Sequence, residues 1–153
     1  MKPPIMAQRY LDDFNPGEVF NGKPQTLTMK HFAQFADMTG DAHPLHYDAG
    51  YAQTKGWDGP LAHGFLLLSL CAIGVAPLSD ELNESMIAML GNDVRYRRPA
   101  FAGDTLTPQF TVRTVEPKDD GRGILRLAFA LHNQRDELVL EGSHVLMLER
   151  RRA

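Results

Sequence analysis

The segment Thr39-Gly40-Asp41-Ala42-His43-Pro44-Leu45-His46-Tyr47-Asp48 holds two histidines, two aspartates and a proline within one turn-like stretch. Pro44 fixes its own φ and keeps His43 extended, so the segment is stiff. Asp41 and His46 flank the proline. A carboxylate and an imidazole held near one point form an acid/base pair that can activate water, and histidine titrates near neutral pH. The spacing alone leaves a second reading open, in which Asp and His only satisfy backbone groups at the end of a helix. A metal is a third. His43, His46, Asp48 and His63 are ligand types, but without a second motif of metal-ligand spacing no metal is expected.

His63-Gly64 adds a complementary part. It opens an apolar stretch that reads as a helix, and the N–H groups of a first turn have no internal partner. Gly64 lets a substrate oxygen come close to its N–H, which is how an oxyanion is held. The alternative is a glycine needed for tight packing.

The elements that must position these residues are set by patterning. The chain has 153 residues, 43% hydrophobic and 23% charged, enough to bury the core of one domain over residues 1–153. The net charge of −3 offers no basic surplus for nucleic acid, and Arg150, Arg151 and Arg152 read as a frayed end. Cys71, the single cysteine, excludes a disulfide framework and sits in an apolar run as a buried filler. The opening ten residues, Met1 to Tyr10, lack the apolar core of a secretory leader. No run reaches the ~18 uninterrupted apolar residues of a membrane span, so a cytoplasmic protein is expected.

A turn at Asn15-Pro16-Gly17 precedes a strand over about 20–27. Thr28 caps a helix whose apolar stripe is Phe32, Phe35, Ala36 and Met38, and Gly40 ends it. A short helix comes after the acid/base loop, then a turn at Trp57-Asp58-Gly59-Pro60. Residues 61–76 are apolar on all sides, too long for a strand, and predict a helix wrapped by other elements. From residue 86 the period changes to two. Four strands are predicted, over 86–99, 104–116, 123–133 and 138–150, the last three joined as hairpins. In the third, Leu125, Leu127, Phe129 and Leu131 share a face. The class is α+β, and the simplest way to bury the apolar helix is to curl an antiparallel sheet around it.

Three stretches, in order along the chain, carry a family resemblance. Gly40-Asp41-Ala42-His43-Pro44-Leu45-His46 resembles the G-D-x-N-P-hydrophobic-H signature of the MaoC-like (R)-specific enoyl-CoA hydratases. Ala62-His63-Gly64-Phe65-Leu66 resembles their second signature, and Asn92 to Pro99 with Gly103-Asp104-Thr105-Leu106 resembles their V-R-F-x-x-P-V-x-x-G-D element. The resemblance spans roughly residues 14–148. It implies the hot-dog fold, an antiparallel sheet around a long central helix, in a homodimer or higher homo-oligomer. It implies addition of water to a trans-2-enoyl-CoA to give the (R)-3-hydroxyacyl-CoA, or the reverse dehydration. Asp41 and His46 would hold the water and Gly64 N–H would polarise the thioester carbonyl, with no cofactor. His43, His63, Phe65, Trp57 and Arg95 are the candidates for substrate contact. Arg95 and Arg97 should share a strand face, with Arg98 on the other. The chain departs from the pattern at His43, where the family has Asn, and at Ala72, where some members carry a serine that supports the aspartate. The same fold could instead serve an acyl-CoA thioesterase or a non-catalytic acyl-thioester-binding subunit.

Overall fold

A computed structural model describes residues 6–153. The first five residues, part of the arm read as carrying no leader, lie outside the described residues.

Four long strands dominate. They are β3 (Met86–Tyr96), β4 (Thr105–Pro117), β5 (Arg122–His132) and β6 (Leu138–Glu149). Two short ones, β1 (Val19–Asn21) and β2 (Gln25–Thr26), both pair with β4. Every pairing is antiparallel, and the path through the sheet is β1–β4–β5–β6–β3. The alternation predicted for β5 is real: Leu125, Leu127, Phe129 and Leu131 are all buried. Leu106, Phe110 and Val112 of β4 and Leu140, Leu146 and Leu148 of β6 extend the same core. Side chains alternating across each strand give the sheet one apolar face, which must be covered.

The cover comes from helices. α1 (Met29–Thr39) contributes the fully buried Phe32, and α3 (Gly64–Ser69) contributes Leu66 and Leu67. Thr28 caps α1, accepting from the His31 N–H, and Gly40 closes it with φ +77°. That left-handed geometry favours glycine. Met38, placed by periodicity on the core stripe, is instead 78% exposed.

The apolar stretch does not form one continuous helix. α3 stops at Ser69, a 3₁₀ turn covers Ile73–Val75, and α4 is only Leu78–Glu81. Three local causes are visible. The Ser69 hydroxyl donates back to the Leu66 carbonyl at 2.6 Å, a competitor to helix continuation. His144 on β6 donates from Nε2 to the Cys71 carbonyl at 2.7 Å, so that carbonyl is taken from the next turn. Pro77 has no N–H to continue the ladder. The strand predicted over 20–27 is likewise split, because Gly22 N–H turns to Pro108 and Lys23 N–H to the Val75 carbonyl of the broken stretch.

The C-terminus is not frayed at Arg150 and Arg151. Arg150 pairs with Asp12 at 3.0 Å and Arg151 with Asp13, tying the last strand to the N-terminal arm. The Arg151 backbone N–H, with the Arg150 guanidinium, lowers the Asp12 pKa, and the Arg151 side chain lowers that of Asp13. Cys71 is buried as expected, and burial raises its thiol pKa to about 12. Among the described residues no helix is long and apolar enough to cross a membrane.

His144 gives the fold a pH dependence. Burial lowers its pKa, whereas in the unfolded chain it titrates near the ordinary value of about 6.5. The unfolded state thus binds a proton that the native state refuses. Its contribution is full above about pH 6.5 and is lost as pH falls below it. The melting temperature should drop between about pH 7.5 and 5.5. His144→Gln, which keeps a donor for Cys71, should show a shallower drop. Equal slopes in differential scanning fluorimetry would contradict this.

Candidate active site

Each titratable residue of the loop has a defined local partner. Beyond Gly40 the Asp41 N–H donates to Thr39 Oγ1 at 3.2 Å, which keeps the loop against the end of α1. The Leu45 N–H donates to His43 Nδ1 at 3.1 Å, so His43 caps the 3₁₀ turn Pro44–His46. The imidazole thus does the bracing that an asparagine oxygen would do. Asp48 is the N-cap of α2 (Ala49–Thr54), accepting from the Tyr51 N–H at 3.0 Å. His43 and Asp48 are therefore bound into the backbone, and His43 is exposed with its ring edge-on to Tyr51.

His46 turns inward. Its Nδ1 lies 2.6 Å from the Leu61 carbonyl. A carbonyl only accepts, so Nδ1 carries the proton and Nε2 of the neutral ring is a bare acceptor. Nε2 faces Asp41 Oδ2 at 3.9 Å. In that neutral form the pair is two acceptors 3.9 Å apart, with room for a shared donor. The Asp41 side chain is about half exposed while that of His46 is only 12% exposed, so one side of the pair opens to solvent.

His63 lies underneath, 1% exposed. Its ring stacks on His46 with centroids 3.9 Å apart and meets Phe32 edge-on at 5.8 Å. Nε2 donates to the Asp41 backbone carbonyl at 3.0 Å and lies 3.1 Å from the Tyr47 hydroxyl. Burial lowers its pKa. The expected contact between His63 and substrate does not fit this placement, because the loop covers the ring. Asp41, His46 and His63 could each offer a ligand atom, all within 4.8 Å of one another. His63 Nε2 and His46 Nδ1 are already donors to the Asp41 and Leu61 carbonyls. The geometry is that of a hydrogen-bonded set.

Next to the pair is an apolar groove of about 320 Å³ lined by Trp57, Leu61, Ala62, Gly64, Leu67 and Tyr96, and by Arg97 and Arg98. Leu61 belongs to both features: its side lines the groove and its carbonyl orients His46. Gly64 is the first residue of α3, so its N–H has no intrahelical acceptor, and no side chain caps the helix. Tyr96 donates to the Gly64 carbonyl at 2.7 Å, and a Cβ on Gly64 would sit 3.2 Å from the Tyr96 ring. Gly64 thus answers both sequence readings, a free N–H and a close contact.

The other expected contacts divide. Trp57 lines the groove. Phe65 is 76% exposed and outside it. Arg95 is exposed, bonded to the Val94 carbonyl, and also outside it. Arg97 and Arg98 both reach the groove because β3 ends at Tyr96 and alternation ends with it; both N–H groups turn to the Val139 carbonyl. They also pair with Glu141 and Glu137. Ala72 is exposed at the helix break, and Ser69 spends its hydroxyl on Leu66, so neither supports Asp41. Sequence reasoning misses Tyr47 and Tyr96 as site residues; the only signal is that each lies inside or beside a signature.

The chain and its fold have known relatives. Residues 13–126 match the family model of the MaoC like domain. An (R)-specific enoyl-CoA hydratase from Aeromonas caviae is 29% identical over 116 residues, 76% of this chain and 82% of that one. The solved structure of a monoamine oxidase regulatory protein from Archaeoglobus fulgidus superposes with a TM-score of 0.89 at 31% identity, covering 97% of this chain and 99% of that one. A Mycobacterium tuberculosis protein with a double hot-dog fold superposes at 0.76 with 28% identity, over 94% of this chain and 45% of the other. The fold is a hot-dog fold, and the chain belongs to the MaoC-like domain family.

Proposed function

We propose that the protein is an (R)-specific enoyl-CoA hydratase, or 3-hydroxyacyl-CoA dehydratase in the reverse direction. The observation that carries this is the bare Nε2 of His46 facing the Asp41 carboxylate at 3.9 Å. A water between them can donate one proton to each acceptor, which leaves an oxygen lone pair free to attack C3 of the enoyl thioester. His46 takes the water's proton as the C–O bond forms, and the Asp41 carboxylate stabilises the resulting imidazolium. Negative charge moves to the thioester oxygen, where the Gly64 N–H at the start of α3 meets it. The imidazolium then returns a proton to C2, so one water is added and the enzyme is restored.

The groove supports an acyl thioester as substrate, since its lining is mostly apolar and includes Arg97 and Arg98, which suit the phosphates of CoA. The exposed Met89 and Leu90 on edge strand β3, with Phe65, support a homodimer. No metal or organic cofactor enters this chemistry.

The test is the loss of enoyl-thioester absorbance with crotonyl-CoA and with longer and branched enoyl-CoAs. Asp41→Asn and His46→Gln should each cost at least about 100-fold in kcat, as expected for a positioned acid or base. Release of free CoA would point to the thioesterase, and binding without turnover to the acyl-thioester-binding subunit.

Gly64→Ala should separate activity from stability. The new methyl pushes on Tyr96 while alanine suits a first helical turn. We expect kcat/KM to fall about 10-fold, within the roughly 100-fold that an ångström of misplacement can cost, with an unchanged or higher melting temperature. Tyr96→Ala in the same chain should return part of the loss by making room; no recovery would mean that the methyl acts elsewhere.

A further inference from the structure

We infer that Tyr47 and His63 are positioning residues for hydration: together they fix the Asp41 backbone and the plane of the His46 ring without touching water or substrate. The inference rests on the hydratase reading and adds two residues to it.

The half-buried Tyr47 bridges elements. Its hydroxyl donates to the Phe32 carbonyl of α1 at 2.8 Å and lies 3.3 Å from the Asp41 carbonyl. A phenol has one proton, so with that proton on Phe32 the oxygen remains an acceptor for the N–H of His63 Nε2 at 3.1 Å. His63 Nε2 donates mainly to the Asp41 carbonyl at 3.0 Å. The carbonyl is thereby gripped from below, and the carboxylate on the same residue is held toward His46.

His63 also has a property that neither an amide nor a phenyl ring shares. Its face supports His46 at 3.9 Å, and its edge supplies the donor. Its Nδ1 is buried and has no partner among the described residues. A buried polar atom without a partner is uncommon and calls for a reason. Here the reason is that only an imidazole gives a flat face and a single edge donor in that space: phenylalanine would lack the donor, glutamine the face. The groups facing His63 are the Asp41 carbonyl, the His46 ring and the Tyr47 hydroxyl, with the uncharged rings of Phe32 and Phe35 on the α1 side.

Steady-state hydration of crotonyl-CoA, with kcat and KM resolved separately, tests this in Tyr47→Phe, His63→Phe and His63→Gln. Tyr47→Phe is the mildest change and keeps the inference testable if a His63 variant fails to fold. Its kcat should fall about 10-fold, with KM and the affinity for the saturated analogue butyryl-CoA within about 2-fold, because positioning is lost and binding is not. Both His63 variants should lose more, each lacking one of the two functions. A kcat within about 2-fold of wild type in Tyr47→Phe would overturn the inference while leaving the hydratase reading intact. A second measurement needs no turnover. Imidazole ¹⁵N spectra of the wild-type protein should show His63 protonated at Nε2 and His46 at Nδ1. The opposite tautomer at His63 would overturn the inference. A wild type that hydrates no enoyl-CoA would overturn the hydratase reading, and with it the catalytic role of both residues.

Discussion

The hydrogen bond from His46 Nδ1 to the Leu61 carbonyl is the constraint on which the site depends. It fixes the tautomer, and the tautomer decides what Nε2 can do. Were the proton on Nε2, the ring would donate to Asp41 and close the pair on itself. With the proton on Nδ1, the pair stays open and needs a donor from outside. Leu61 can play this part because it is held on both sides: its N–H donates to Leu45 within the loop, and it bridges to Phe101. The acceptor that orients His46 is therefore part of the fold.

Burial then divides the two histidines. His46 sits at the open side, beside a half-exposed carboxylate that can stabilise its charged form. His63 sits beneath, where burial disfavours charge. In the proposed hydration, an uncharged ring stacked on His46 would add no repulsion to the imidazolium. Leaving Nδ1 of His63 without a partner among the described residues costs about 1–3 kcal/mol, a cost the fold sustains at this place and again at Nδ1 of His144. Both rings lie against aromatic side chains, His63 on Phe32 and Phe35 and His144 on Phe129. The orphan nitrogens thus occur where imidazoles have been packed as aromatic surfaces.

Local signals are the legible part of this fold. The four long strands fall within a few residues of the predicted limits because alternation, turn residues and length all agree. Thr28 and Gly40 bound α1 as their cap chemistry dictates. The apolar stretch misleads for a physical reason. Its breaks depend on His144, remote in sequence, and on Ser69, whose hydroxyl can end a helix or ride along one. Hydrophobic patterning carries neither. At the site, the Asp41/His46 spacing is legible, but the placements of His63 and Arg95 are not. Which residue faces the groove depends on where β3 ends, and which lies under the loop depends on how α1 meets it.

A common device links these places. His46 donates to the Leu61 carbonyl, His63 to that of Asp41, Tyr47 to Phe32, Tyr96 to Gly64 and His144 to Cys71. Every donor is a ring and every acceptor is a backbone carbonyl. A carbonyl is supplied by any residue type, so the side chains at Leu61, Phe32 or Cys71 can change without removing the acceptor. Rings have few rotatable bonds, so fixing one costs little entropy compared with a long flexible donor. The arrangement sets the geometry of the site through the backbone path, which the sheet and α1 determine, rather than through matched pairs of side chains. Such a site can keep its shape while much of the surrounding sequence varies, provided the rings themselves remain.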